Sequence, residues 1–521
     1  MTRSRRPPAT LLSLIVVAIL WEIVGQLKLI ADGAFPPLSD IASQFWHDRG
    51  DYPQHTLATI EAAAIGFVIG NAIAIGLAVV FSRVPALERL LRGIGLTLFS
   101  VPFIALVPVL LIAFSAGTAR IILAALAVYF PTMVSTLVGL RQIDPRLVDV
   151  IRAAGGGDRE VMRLVRFRSA LPSVFAGLRI AAPAAMLGAM LAEFGGGFRW
   201  GLGSYLLGSL GQADPARIWG IGLVATAVAA GGYGLFAVLG NRVAGSTLGA
   251  TTAIAAGPEA LEGGRRDPLW LRVLFTLGSA ALVLAVWSLG LRILGISPVV
   301  AKTPLAVVHY LTSGYGAGDA RHELWAALGQ TIPLMFLGLG CGLAAAFVLA
   351  LTLSLRPALA SAFLPFALVS QTMPLPALTP LLVLVFGRGV LAIVMVTISV
   401  TFFPSFVTIA QGLAQSPQGP TDIVQVYGGS NLTVLRYVRL PNSIPYLLTA
   451  ARLAAPRALL GVMIAEFLAT GTGIGNLVNS ARGMLDYGMI WAIAAVAVVI
   501  ALALTQLVGV LEHRVWKRFG V

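Results

Sequence analysis

The sequence has little charge, little lysine and almost no cysteine, and each shortage excludes a class of protein. Only 11% of its 521 residues are charged, whereas soluble domains carry roughly 25%, and its mean hydropathy is +0.89. The single cysteine, Cys341, excludes an internal disulfide, and the five histidines are too scattered to form a metal site. The composition therefore indicates a membrane protein without a disulfide or metal framework.

Lysine occurs only at positions 28, 302 and 517, and none of the three follows a glycine. A phosphate-binding loop needs a terminal Gly-Lys, because the ammonium group must reach the phosphates of the nucleotide. The few acids and histidines form no nucleophile, base and acid set. We therefore expect that the chain is not an enzyme and that any catalysis is supplied by a partner.

Long apolar runs take the place of the missing charge. Residues 11–24, 57–81, 121–140 and 487–511 are examples, and about 20 such residues span ~30 Å of hydrocarbon as a helix. The net charge of +14 would suit nucleic acid, but the basic residues recur at alternate ends of the runs, as the positive-inside rule requires. We therefore expect the lipid bilayer as a partner, and no nucleic acid.

The chain is a tandem duplication with an offset near 272. Residues that correspond at offsets of 272 or 273 include Glu193 and Glu466, and Trp219 and Trp491, while Trp21 and Trp287 correspond at an offset of 266. The pattern predicts an all-α membrane protein with about twelve transmembrane helices in two parallel repeats of six. The predicted organisation is a first unit at 1–243, a cytoplasmic linker at 244–268 and a second unit at 269–521. Both termini are expected in the cytoplasm.

One polar segment between apolar runs occurs in both copies, at residues 149–172 and 422–445, and we call each copy an elbow. The shared positions are Asp149, Gly155 and Arg166 in the first elbow, and Asp422, Gly428 and Arg439 in the second. The glycine, six residues after the acid, predicts a helix, a turn with positive φ, and then a second short helix. Eight arginines between positions 141 and 179 place the first elbow in the cytoplasm.

The elbows resemble the EAA loop of the permease subunits of ATP-binding-cassette (ABC) importers, and Leu440-Pro441 matches the later Leu-Pro of that loop. In that family the loop docks into a groove on the ATPase subunit. The resemblance implies a type I importer permease in the cell inner membrane, with its elbow residues in a coupling role. It also implies two ABC ATPase subunits, which bind the ATP and Mg²⁺, and a substrate-binding protein.

A second repeated motif follows the fifth apolar run of each copy. Its parts are Ala-Glu-Phe at 192–194 and 465–467, Gly-Leu-Gly at 201–203 and Gly-Ile-Gly at 473–475. An acid in an apolar helix is costly enough to suggest a function, although each glutamate could instead cap a neighbouring helix or pair with an arginine. The motif resembles the nitrate, sulfonate and taurine branch of importer permeases, and related carriers of pyrimidine precursors share it. This implies a small, anionic solute.

The same resemblance places a translocation pathway between the two halves, lined by the third to fifth spans. Gln371, Thr372 and Met373 are the gate contacts that it implies. Glu193 and Glu466 are further candidates for the pathway.

The halves differ at one position of the fifth span, where Arg457 replaces Ala184. A helix starting near Pro445 would place Arg457 about 18 Å along its axis, in the middle of the membrane. A guanidinium there costs at least ~2.5 kcal/mol. Three explanations remain open: contact with an anionic substrate, an ion pair with an acid such as Glu193 across the halves, or snorkelling toward the cytoplasm.

A twelve-helix secondary transporter of the major-facilitator kind would show the same parallel repeat. Such a protein would place its main cytoplasmic loop between the halves, whereas this chain carries a long elbow within each half. The elbows therefore favour the importer permease.

Overall fold

The structure, a computed structural model, describes residues 9–84, 87, 102–141, 143–212, 214–244, 269–356, 359, 363, 367, 372–414 and 418–518. Within these ranges every regular element is a helix, so the predicted all-α fold class is confirmed.

Both halves consist of the same series of helices. The first half contains α1 (Ala9–Gln26), α2 (Leu38–His47), α3 (Tyr52–Arg83), α4 (Phe103–Ala113), α5 (Ala116–Arg141), α6 (Pro145–Ala153), α7 (Asp158–Gly196), α8 (Leu202–Leu210) and α9 (Pro215–Ala244). The second half contains α10 (Leu269–Ile293), α11 (Pro304–Thr312), α12 (Ala317–Ser354), α13 (Leu375–Phe386), α14 (Val390–Ala414), α15 (Gln418–Val426), α16 (Asn431–Leu468), α17 (Gly473–Gly483) and α18 (Tyr487–Arg518).

Eight of the described helices are long and apolar enough to cross a membrane, and α1, α4, α10 and α13 supply four shorter apolar helices. Together they account for the predicted twelve. The described helix of the third span, α4, begins at Phe103. The predicted linker lies outside the described residues apart from Ala244, so the domain boundaries stay a prediction.

The sequence suggested that the second helix of each elbow is short, but in the structure this helix is long. In the first half α7 runs without a break from Asp158 through a π-helical turn at Val161–Arg166 to Gly196, and α16 does the same in the second half. No proline or positive-φ residue lies between Asp158 and Phe167, so nothing stops the helix there. The second helix of the elbow and the fifth span are therefore one continuous helix.

The halves are locked together by the short third helices. Ile104, Ala105 and Val107 of α4 belong to a buried cluster formed mainly by the second half. In return, Ala377 and Leu381 of α13 are buried in the cluster of the first half. Each half therefore completes the core of the other, which places the third helices at the interface where the pathway was expected.

A repeated pair of tryptophans ties the first span of each half to the last. Trp21 packs edge to face on Trp219 with ring centroids 5.1 Å apart. Trp287 stacks on Trp491 at 5.3 Å. The contact between Trp21 and Trp219 in the first half is thus repeated by Trp287 and Trp491 in the second.

Candidate coupling elbows and pathway residues

The two elbows have the same backbone. Gly155 has φ +82° and Gly428 has φ +78°, and each follows the end of a short amphipathic helix, α6 or α15. The amide of Gly156 donates to Ile151 O at 2.9 Å, and the amide of Gly429 donates to Val424 O at 2.8 Å. These are the positive-φ turns that the sequence predicted.

The requirement for glycine at these turns is conformational. No atom lies within 4 Å of the position that a Cβ on Gly155 or Gly428 would take. The left-handed backbone alone penalises an L side chain, by roughly 1–2 kcal/mol. A substitution there would therefore change the angle of the elbow without creating a clash.

The outer surface of the elbows is exposed and partly apolar. In the second elbow Val426 is 84% exposed and Tyr427 is 88% exposed, and Ile423 is exposed beside them. In the first elbow Leu147 and Val150 are exposed. Large apolar side chains at this level of exposure mark a contact surface, because water is a poor solvent for them.

The remaining elbow residues of the prediction lie at the surface or against the adjoining helices. Asp149 and Asp422 are exposed on α6 and α15, and Arg166 is half-buried in the π-helical turn. Arg439 donates to Ser354 O at 2.7 Å, which attaches the second elbow to the end of α12.

Glu193 is buried at the opposite end of α7, in what we call the Glu193 cluster: Glu193, Thr59 and the first amides of α8. Thr59 Oγ1 donates to Glu193 Oε1 at 2.8 Å, and the Gly203 amide donates to Oε2 at 2.7 Å. Thr59 Oγ1 also accepts from the Leu202 amide at 2.8 Å. The carboxylate therefore caps the N-terminus of α8, where the helix dipole favours negative charge.

The second half repeats this arrangement in the Glu466 cluster, which comprises Glu466, Thr331 and the first amides of α17. Thr331 Oγ1 lies 2.8 and 3.0 Å from the two oxygens of Glu466 and accepts from the Ile474 amide at 2.9 Å. The Gly475 amide donates to Oε2 at 3.0 Å. Both glutamates are thus arranged as the capping interpretation of the motif requires.

Glycine in this motif has a steric role, unlike the glycine of the elbows. A Cβ on Gly201 would lie 2.6 Å from both carboxylate oxygens of Glu193, and a Cβ on Gly473 would overlap the carboxylate of Glu466. Both backbones also have positive φ. The short helix α8 or α17 can approach the acid only because these positions carry no side chain.

The two clusters differ in charge. Arg120 Nη1 lies 3.5 Å from Glu193 Oε1, and the same guanidinium stacks over Phe198. Among the residues that the structure describes, Glu466 has no such cation, and Gln330 instead accepts from the Gly473 amide at 2.9 Å.

Thr372 and Met373, two of the three predicted gate contacts, lie just before the start of α13. Thr372 is buried, and Met373 packs against the cluster of the first half that also contains Ala377 and Leu381. Gln371 lies outside the described residues.

Arg457 lies deep in the bundle on α16. Among the described residues it has no hydrogen-bond or ion-pair partner, so the structure does not bring it together with Glu193.

Sequence analysis did not identify the threonines that complete the two clusters. Thr59 and Thr331 differ by the repeat offset of 272, a signal that was available. His55, whose Nδ1 lies 3.2 Å from the Gly201 amide, and Arg120 have no chemically similar counterpart in the other half, so the repeat could not reveal them.

Comparison with known proteins agrees with this architecture. The family profile described as "binding-protein-dependent transport system inner membrane component" matches residues 70–293 and 338–517. A probable ABC transporter permease protein of Haemophilus influenzae is 30% identical over 195 residues, which are 37% of this chain and 80% of that protein. The taurine transport system permease protein of Escherichia coli is 26% identical over 256 residues, 49% of this chain and 93% of that protein.

A third relative is the riboflavin transport system permease protein of Chloroflexus aurantiacus. It is 32% identical over 155 residues, which are 30% of this chain and 58% of that protein.

The chain therefore belongs to the family of inner-membrane components of binding-protein-dependent transport systems. Because the family profile matches twice, it is a tandem permease of an ABC importer, and the resemblance drawn from the elbows is confirmed. The family match does not favour a secondary transporter. Members of this family work with ATPase and substrate-binding partners, and the apolar helices make the chain a multi-pass inner-membrane protein.

Proposed function

We propose that this single chain forms the whole translocation pathway of its importer. Two ABC ATPase subunits dock on the two elbows and hydrolyse ATP, and a periplasmic or lipid-anchored binding protein delivers the solute. The chain itself then has no catalytic role and binds no cofactor. The observation that carries the proposal is the pair of elbows, which share one backbone conformation and each expose apolar side chains.

Within this proposal each elbow residue has a structural reason to act in coupling. Gly155 and Gly428 set the angle between the docking helix and the fifth span, while Asp149 and Asp422 offer exposed carboxylates to the ATPase. Arg439 fixes its elbow to α12, and Arg166 is the corresponding residue of the other half. Movement of an ATPase subunit then moves the fifth span directly.

The Glu193 and Glu466 clusters belong to the external end of the pathway. Since both carboxylates are occupied by threonine and backbone donors, we propose that they act by positioning α8 and α17. Thr372, Met373 and Gln371 belong to the gate between the halves. Both termini and the 244–268 segment face the cytoplasm.

The substrate is proposed to be a small organic anion of the sulfonate, nitrate or taurine kind. Support comes from the repeated Ala-Glu-Phe motif and from the printed name of the Escherichia coli relative, a taurine permease.

The test is a change of the elbow angle. Gly428→Val should abolish co-purification of the ATPase and the ATP hydrolysis that the loaded binding protein stimulates, because a β-branched residue does not adopt the left-handed backbone. Gly318→Val is the matched control, because Gly318 lies in the first turn of α12, has negative φ and has no atom within 4 Å of its Cβ position. If Gly428→Val leaves assembly and stimulated hydrolysis intact, the coupling assignment is wrong.

A further inference from the structure

The middle of the fifth span of the second half contains one side chain that does not fit its surroundings. Residues 454–456 and 458–466 are all buried, and only Arg457 between them is partly exposed. A stretch that is buried on every face is enclosed by protein. The space that the guanidinium reaches therefore lies inside the bundle rather than at the lipid face.

The duplication shows which inner space this is. The counterpart of Arg457 is Ala184, which packs against the cluster shared by the first half with Ala377 and Leu381 of α13. On the other side, Ala458, directly beside Arg457, belongs to the cluster that includes Ile104 of α4. The duplication therefore puts positions 184 and 457 at equivalent places on the two fifth spans, each next to a cluster to which both halves contribute.

The acids that could neutralise Arg457 are engaged elsewhere. Glu193 accepts from Thr59 and Gly203 and lies 3.5 Å from Arg120, all in its own half. Glu466 lies nine residues along the same helix, and at 100° a residue this places it on the opposite face. Among the residues that the structure describes, the guanidinium has neither an ion-pair nor a hydrogen-bond partner.

The other arginine of this span behaves differently. Arg452 lies five residues nearer the elbow and donates to Glu512 of α18 at 3.2 Å. Within the described residues, Arg452 therefore has a carboxylate partner and Arg457 has none.

We propose that Arg457 is the anion contact of the translocation pathway. Its two parallel N–H groups match two oxygens of a sulfonate or a carboxylate, which a hydrated ammonium would not do. The site is one-sided, because Ala184 offers no group at the equivalent place on the other fifth span. A single guanidinium suits a substrate with one anionic head.

This proposal rests on the proposed function, since it assumes that the interface is the pathway. Its first test needs neither the ATPase nor the binding protein. The purified chain is heated in lipid-free maltoside micelles with increasing ethanesulfonate, and with ethanesulfonamide as the uncharged control. The unfolding midpoint should rise and saturate with ethanesulfonate only. Arg457→Gln should weaken the apparent affinity at least tenfold, and Arg457→Lys should weaken it less.

The duplication provides a second test that separates binding from folding. The double variant Ala184→Arg, Arg457→Ala moves the guanidinium to the equivalent position on the other fifth span. Its response to ethanesulfonate should return, at least in part, if the charge serves an anion in a shared space. Arg388→Gln, an exposed arginine in the loop between α13 and α14, is the matched control and should respond as the unaltered chain does.

Four outcomes would overturn the proposal. One is an unaltered chain that does not respond to ethanesulfonate, and another is an Arg457→Gln variant that responds as strongly as the unaltered chain. The third is loss of folding in Arg457→Gln that Glu193→Gln repairs, which would show an ion pair. The fourth is stabilisation by added phosphatidylglycerol but not by ethanesulfonate, which would assign the arginine to a lipid headgroup. These measurements use the purified chain without the ATPase. All four outcomes can therefore be distinguished even if the ATPase does not dock at the elbows.

Discussion

Arg217 forms a bidentate ion pair with Asp48: Nε donates to Oδ2 at 2.7 Å and Nη2 donates to Oδ1 at 2.9 Å. The pair joins the end of α2 to the start of α9, and both side chains are largely shielded from water. Burial, the largest single effect, raises the pKa of the Asp48 carboxyl, but the hydrogen bonds from Arg217 and Gln44 and the charge of Arg217 together outweigh it and hold the pKa below its ordinary value.

Stability should therefore fall in acid through this pair. Because the pKa of Asp48 is lowered on folding, its contribution is present above the unfolded value, about 3.9, and is lost as the pH falls through the lower folded value. Near neutral pH, Asp48→Asn should cost about 1–3 kcal/mol, because it leaves the guanidinium without its charged partner. Thermal unfolding in micelles should show that the difference in stability between the unaltered chain and Asp48→Asn shrinks below about pH 4.

Asp40→Asn is the control for that series. Asp40 is an exposed acid on the same external helix, and no ion pair to it is seen in the described residues. If the difference in stability between Asp48→Asn and the unaltered chain stays constant down to pH 2, the expected dependence of stability on the protonation of Asp48 is wrong.

At the elbow, Gly155→Asn and Gly155→Val should differ in effect. Asparagine adopts the left-handed backbone with little strain, while a β-branched residue does not. Since the space around the glycine is open, size cannot explain a difference between the two. Gly155→Asn should keep most of the binding-protein-stimulated ATP hydrolysis, and Gly155→Val should lose it. Equal activity of the two variants would refute a conformational role.

The two glutamate clusters should respond unequally to loss of their threonine. Thr59→Val and Thr331→Val each remove a donor to a buried carboxylate and an acceptor for a backbone amide, at about 1–3 kcal/mol. Thr331→Val should be the more damaging, because Arg120 still faces Glu193 whereas the described surroundings of Glu466 hold no cation. Unfolding midpoints of the two variants give the order.

Thr505→Val serves as the reference for these two variants. Its hydroxyl is buried and donates to Ala501 O in its own helix, so the substitution removes a hydroxyl without disturbing a carboxylate. If Thr59→Val proves the more damaging of the pair, Arg120 does not stabilise Glu193.

The membrane topology predicts that Ser313 faces outward. It is exposed at the end of α11, on the side opposite the elbows in the expected arrangement. Ser313→Cys, in a background where Cys341 is replaced, should react with an impermeant thiol reagent in intact cells. A thiol at this site that reacts only after the cells are opened would reverse the assigned orientation.

The sequence was sufficient for the features that repeat. Gly155 and Gly428 predicted the positive-φ turns, because the requirement at such a turn is local and one residue type satisfies it. The continuation of α7 past Arg166 was not predicted, because the turn at Gly155 indicates that a second helix begins but not how long it is; only the lack of glycine and proline between Asp158 and Phe167 signals that it continues. The exchange of α4 and α13 between the halves could not be predicted, because apolar runs carry no information about which apolar partner they meet. Contacts of residues that are not repeated in the other half, such as His55 with Gly201, are visible only in the tertiary structure.

The unbroken course of α7 has a mechanical consequence. Its 39 residues make a lever arm about 58 Å long, one end of which lies at the elbow while Glu193 and α8 lie near the other. A rocking of about 5° at the elbow end would swing the Glu193 end through about 5 Å over that length, which is comparable to one helical pitch. Torque applied at the elbow would therefore reach α8 without a relay of side-chain rearrangements. The π-helical turn at Val161–Arg166 and the prolines at 172 and 183 are the points of this helix whose stiffness decides how much of the movement is delivered.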